Sequence, residues 1–202
     1  MDEAGFIEST LSNVANREIL ARLPSLGLSD AWLVSGALFQ TAWNRLTNRP
    51  PDYGIRDYDI FYFDADTSYE AEDDEIARAN SAFADLNLAV EVRNQARVHL
   101  WYDEKFGMPY PPLERATDGI DRFLMHNAQV GIRPRGGSYD VYAPRGFADI
   151  EQMIVRPNLT QNFSADRYYE KAARWKALWP EITVLKAPAA GRKCFRGPEQ
   201  SG

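Results

Sequence analysis

The sequence predicts a mixed α/β (α+β) fold, a twisted β-sheet flanked by helices, on three observations. Short apolar runs, "AWLVSG", "YDIFYFD" and "LAVEVRNQARVHLWY", have the length or the alternation of strands. Between them, apolar residues recur every three or four positions, as on one face of a helix. Clusters such as "NRPPDYG" and "GMPYPPLE" break the chain between these elements, and no stretch repeats another. The 202 residues, 45% hydrophobic and 26% charged, suit one globular domain. That domain is expected over residues 1–187, with 1–24 as an N-terminal helical segment and 188–202 as a disordered tail.

The elements follow in order. Phe6, Ile7, Leu11 and Val14, then Ile19, Leu20 and Leu23, predict one or two amphipathic helices that end near Pro24. "AWLVSG" is a short buried strand ending at Gly36, and "ALFQTAWNRLT" a helix with Leu38, Ala42 and Leu46 inward. "YDIFYFD" is the second strand. Thr67 with Glu70 three residues on makes a capping box for a helix running to about Asn87. "LAVEVRNQARVHLWY" is a long third strand, with Glu91, Arg93, Gln95, Arg97 and His99 on its polar face. "TDGIDRFLMH" and "GFADIEQMIV" are short helices, and "AQVGIRP" and "YDVYAP" short strands joined through "RGG". Ser164 caps a helix over 165–179 with Tyr168, Ala172, Trp175 and Trp179 inward, and "EITVL" returns as an edge strand.

Composition narrows the function classes. A net charge of −6 argues against a broad nucleic-acid footprint. The one cysteine, Cys194, allows no internal disulfide and suits a reducing cytoplasm. No apolar run has the length of a membrane span, and the acidic start "MDEAGFIEST" does not read as a signal peptide. A cytoplasmic protein with no membrane partner is the expectation.

Asp57 and Asp59 pose the chemical question. Residues two apart in a strand share a face at roughly 6.5–7 Å, so two carboxylates there repel unless a cation lies between them. A solvated strand end is the plain reading, and a divalent metal the sharper one. A strand delivering Gly36 to a helix start, an apolar-flanked Asp57-x-Asp59, and a later strand with Glu91 between Val90 and Val92 resemble the nucleotidyltransferase superfamily, whose fold DNA polymerase β shares. More closely, "GALFQTAWN", "DYDIFYFDADTSYE", "VRNQARVHLWYDEKFG" and "APRGFADIEQMIVRPN" resemble a family of small bacterial nucleotidyltransferases of unassigned substrate.

That resemblance implies a nucleotidyltransferase fold and a metal-dependent enzyme that moves NMP from an NTP to an acceptor with release of pyrophosphate. Asp57, Asp59 and Glu91 become the catalytic carboxylates and ligands of Mg²⁺ (or Mn²⁺). Ser35, Gly36, Ala37, Gln40 and Asn44 become the nucleotide-binding set, with free N–H groups at the helix start facing phosphate. The superfamily usually has Gly or Ser after the glycine, where this chain has Ala37, and "TNRPPDYGIR" lengthens the interval to Asp57. The acceptor stays open between RNA, protein and a small molecule, and the oligomeric state is not readable.

Other readings remain beside it. Glu70 and Asp64 are alternative third carboxylates. Asp64, Asp66, Ser68 and Glu75 loosely imitate an EF-hand loop, but Tyr69 stands where that loop needs glycine. Arg133, Arg135 and Arg145 are phosphate or acceptor ligands or plain surface charge, and His99 with His126 makes no zinc site. In haloacid dehalogenase-like phosphatases the Asp-x-Asp follows an apolar strand, whereas here it precedes "IFYF". A nucleotide-binding or protein-interaction module without catalysis on the same fold is the alternative.

Overall fold

The computed structural model describes residues 1–188. The expected disordered tail, Pro188 excepted, and Cys194 lie outside the described residues. Asp2 and Asn13 each accept a hydrogen bond from a backbone N–H two or three residues on. They cap α1 (Glu3–Ser12) and α2 (Val14–Arg22). The second cap resets the helical phase, so Val14, expected inward, is 61% exposed, while Phe6, Ile19 and Leu20 are fully buried.

β1 (Trp32–Val34) leads into α3 (Gly36–Leu46), and β2 (Tyr58–Tyr62) follows the long loop 47–57. Three groups fix that loop. The Asn44 amide donates to the carbonyls of Pro51 and Tyr53 at 3.1 and 2.9 Å, and its oxygen accepts from the Trp179 indole at 2.8 Å. Gly54, at φ +72°, lies where a Cβ would come within 2.8 Å of the Trp179 ring.

α4 (Tyr69–Phe83) is capped by Ser68, whose hydroxyl accepts from the Ala71 N–H at 3.3 Å. The expected Thr67 box is therefore one residue early. The expected long third strand is two elements, β3 (Val90–Asn94) and α5 (Val98–Phe106). Asn94 makes the break: its side-chain oxygen accepts from the N–H groups of Asp64 and Ala96, and its amide donates to the carbonyls of Asp64 and Asp66. Gln95, Arg97 and His99 thus leave the polar face assigned to them.

α6 (Ala116–Ile120) is shorter than expected, and β4 (Gly131–Arg135) with β5 (Ser138–Tyr142) forms the hairpin through Gly136 and Gly137. α7 (Ala148–Glu151), β6 (Ile154–Val155), α8 (Ala165–Leu178) and β7 (Thr183–Val184) complete the described chain. Tyr168, Ala172, Trp175 and Trp179 are buried as the periodicity requires.

The five-stranded sheet has the order β3-β2-β1-β4-β5, with β2 and β3 parallel and the other neighbours antiparallel. β6 and β7 pair separately, in parallel. One face of the sheet (Leu33, Ile60, Tyr62, Val92, Ile132) joins the main core with α3 and α8. There Phe39 meets Trp43 at 4.7 Å and Trp175 at 5.0 Å, and Trp43 meets Trp179 at 5.6 Å, ring centre to ring centre. The opposite face carries a smaller cluster of Trp32, Val34, Ala116 and Ile120. Gly131 lets α6 approach this closely, since a Cβ there would meet Ile120 at 2.7 Å. Asp30 ties α6 down by accepting from the Ala116 N–H at 2.8 Å.

Candidate active site

The register of the sheet assembles a row of side chains on that second face. Asp59 pairs with Val34 of β1 on one side and with Glu91 of β3 on the other. Asp57, one residue before β2, shares the face by alternation. Asp59 is half-buried, while Asp57 and Glu91 are exposed. No described residue donates a hydrogen bond to Asp57 or Asp59, and Glu91 pairs with Arg93 at 3.1 Å. Burial first, and then the charges of Asp57 and Glu91, push the Asp59 carboxyl up to about 7, against the pull of Lys171 and Arg93.

Asp57, Asp59 and Glu91 together offer a hard oxygen donor set, in which the other two acids raise the proton affinity of Asp59. Among the described residues no three His, Cys, Asp or Glu side chains close into a cage. Mg²⁺ needs no such cage, because it takes one or two carboxylates and fills its octahedron with water and substrate phosphate oxygens. The residues present fit that ion.

The β1–α3 turn lies beside this row, since Val34 is the neighbour of Asp59. Ser35 sits at φ +56°, ψ −114°, a conformation that favours glycine, and its side chain makes no capping bond. The strained residue is thus Ser35, one position before the glycine assigned that freedom. Leu38 and Phe39 donate to the Ser35 carbonyl, which leaves the N–H groups of Gly36 and Ala37 at the helix start without a partner among the described residues. Gln40 is buried, with its amide nitrogen 3.2 Å from where a Gly36 Cβ would stand. Asn44 is not brought to the site, because both halves of its amide hold the 47–57 loop and Trp179.

The other candidates lie apart from the row. Asp64 and Asp66 accept from the N–H groups of Asp66 and Ser68, and Glu70 is exposed on α4. Arg133 pairs with Asp30 and Asp140, and Arg135 with Asp140. His126 lies 3.6 Å from Asp149.

On the same face, a cavity of about 180 Å³ opens between the sheet and α5, α6 and α8, with Ser35, Phe61 and Arg93 at one end. Arg167 and Lys171 enter it from α8, and Arg122 from the segment after α6. Burial holds the Lys171 ammonium below the usual lysine range, and Arg174 adds to this while Asp59 opposes it. Sequence reasoning passed over Arg122, Arg167 and Lys171. Their one signal was that Arg167, Lys171 and Arg174 recur at helical spacing, which reads equally as a solvated face.

A nucleotidyltransferase family profile matches residues 21–184. A solved structure described as revealing a CCA-adding enzyme head domain is similar at a TM-score of 0.75 and 22% identity, over 92% of this chain and 97% of that one. No curated protein matches significantly. The likeness in structure shows the fold, a nucleotidyltransferase fold.

Proposed function

Because the chain belongs to this nucleotidyltransferase family, we propose that it transfers NMP from an NTP to an acceptor, with Mg²⁺ or Mn²⁺ held by Asp57, Asp59 and Glu91. The observation that carries this reading is the register of Asp59 with Glu91 and Val34, which sets the acids beside the open start of α3. In the transfer the acceptor oxygen bonds to the α-phosphorus. The bond from that phosphorus to the oxygen bridging to the β-phosphate breaks, pyrophosphate leaves, and the acceptor proton passes to water. When bound, the divalent ions offset charge on the phosphate oxygens. The chain's own part is to hold the phosphates. The N–H groups of Gly36 and Ala37 point to them from the positive end of α3, the Ser35 hydroxyl stands beside them, and Gln40 closes over Gly36. Lys171 and Arg93 set positive charge next to Asp59. Without a disulfide-forming pair of cysteines, the protein is suited to the cytoplasm.

The test is label transfer from each α-labelled NTP into RNA, protein or metabolite fractions, with Asp59→Asn as control. Transfer by the wild type alone supports the reading. Neither transfer nor metal-dependent NTP binding overturns it. The Glu91–Arg93 ion pair favours a second reading, a nucleotide-binding module without turnover. Glu91→Gln separates the two, because an enzyme loses turnover while a binding module keeps its affinity.

A further inference from the structure

We infer that the cavity beside the carboxylate row seats the acceptor, and that this acceptor is a small ring-bearing acid rather than the end of a polynucleotide. The inference rests on the transfer reading above and names the acceptor class. Size comes first. Apolar cavities of about 150 Å³ hold a benzene ring, so about 180 Å³ admits one ring with a short polar substituent and little more. A base with its ribose, or a stacked dinucleotide end, would fit only in part and extend out through the open side of the cavity.

Charge comes next. The lining includes Arg93, Arg122, Arg167 and Lys171 and no aspartate or glutamate. These cations divide into two pairs. Arg93 and Lys171 act on the Asp59 end, where the triphosphate lies in the proposed reaction. Arg122 and Arg167 stand at the aromatic end and have no carboxylate partner among the described residues. Arg167 stacks 3.7 Å over the Phe106 ring centre and donates to the Tyr102 hydroxyl at 2.7 Å, and Arg122 lies 6.0 Å from the Tyr110 ring centre. Buried Asn162 links the two by donating to the Tyr102 hydroxyl and the Arg122 carbonyl, at 3.2 and 3.0 Å. The base end of an NTP offers guanidinium groups carbonyl and ring-nitrogen acceptors but no counter-charge. An anionic group supplies it, and guanidinium binds carboxylate or phosphate through paired donors. Phe61, Trp101, Tyr102 and Phe123 supply flat apolar walls for the ring between the ends. A hydroxyl on such a molecule would face the carboxylate row while its acid group meets Arg122 and Arg167.

The experiment is calorimetric titration in metal chelator, without nucleotide, of benzoate, 4-hydroxybenzoate and phenyl phosphate. Phenol, ATP and a short RNA ending in CC serve as comparisons. At least one ring acid is expected to bind, with phenol about tenfold weaker. Arg122→Gln and Arg167→Gln should each weaken that binding about tenfold, while Asp66→Asn, on the turn after β2, leaves it unchanged. Arg122 has no side-chain hydrogen bond to a described residue, so its replacement spares the fold if Arg167→Gln does not. Three results overturn the inference: no ring acid binds, the RNA binds through the same arginines, or ATP displaces the ring acid in chelator and so claims the cavity for its base. Because this assay reads neither transfer nor metal, its failure leaves the transfer reading standing. Loss of transfer likewise leaves ring-acid binding intact.

Discussion

Two aspartate pairs of identical spacing flank β2, and they live in opposite electrostatic worlds. At the downstream pair, Asp64 accepts from the Asp66 N–H at 2.8 Å and Asp66 accepts from the Ser68 N–H at 2.9 Å. The hydrogen bonds from Ser68, its backbone N–H first, hold the Asp66 carboxyl below its ordinary range. At the upstream pair, Asp57 and Asp59 receive no hydrogen bond from a described residue, and the Asp59 carboxyl is pushed up to about 7. The difference is the backbone. A turn directs its N–H groups at nearby side chains, whereas a central strand has committed them to its neighbours. A carboxylate on a turn is satisfied locally. On a strand face it is left without a backbone donor.

The sharpest way to break this comparison is to neutralise each pair in turn. Asp59→Asn is expected to lower nucleotidyl transfer by about a thousandfold or more, whereas Asp64→Asn and Asp66→Asn stay within about twofold. Equal losses in a labelled-NTP assay would show that spacing alone, not environment, marks the site. Next in size is the coupling of metal to protons. With Asp59 protonated below about 7, apparent Mn²⁺ affinity should fall about tenfold per pH unit on the acid side of that value. A flat profile between about pH 5.5 and 8 would refute it.

The fold was legible where one periodicity dominated. The alternation in β2 and the helical spacing of Tyr168, Ala172 and Trp175 each left a single reading. "VEVRNQARVHLWY" was not legible, because its apolar residues satisfy strand and helix spacing in turn. The deciding bonds of Asn94 reach Asp64 and Asp66, some thirty residues away. The carboxylate row was found as a pattern, and register then chose Glu91 over Glu70 and Asp64 as the acid beside Asp59. The arginines and lysine of the cavity stayed hidden because the polar side of a helix looks the same whether water or a pocket lies beyond it.

A smaller effect should appear in stability. The folded-state pKa of Asp59 is raised, so the folded state binds its proton more tightly than the unfolded state, and stability falls as pH rises from about 4 to 7. In metal chelator at about pH 8, Asp59→Asn should therefore be more stable than wild type, by on the order of 2 kcal/mol. The gain should shrink towards about pH 5, as compared by urea melts at the two values. Asp66 has the opposite sign. Its lowered pKa contributes stability above the unfolded value, which is lost as pH falls through the folded one. Asp66→Asn should lower Tm slightly at neutral pH, and its difference from wild type should close on acidification. A Tm gain instead would place Asp66 with the Asp57 and Asp59 pair.

The aromatic packing of α8 on α3 also has a consequence in time. Trp179 bonds Asn44 across 135 residues of chain, and the same helix brings Arg167 and Lys171 to the cavity. During synthesis, β1, β2 and β3 emerge and can set out the carboxylate row long before this wall exists. A ribosome-bound chain at that stage lacks the α8 wall of the cavity. In the reaction proposed above, acceptor capture would therefore wait on α8, the last described helix.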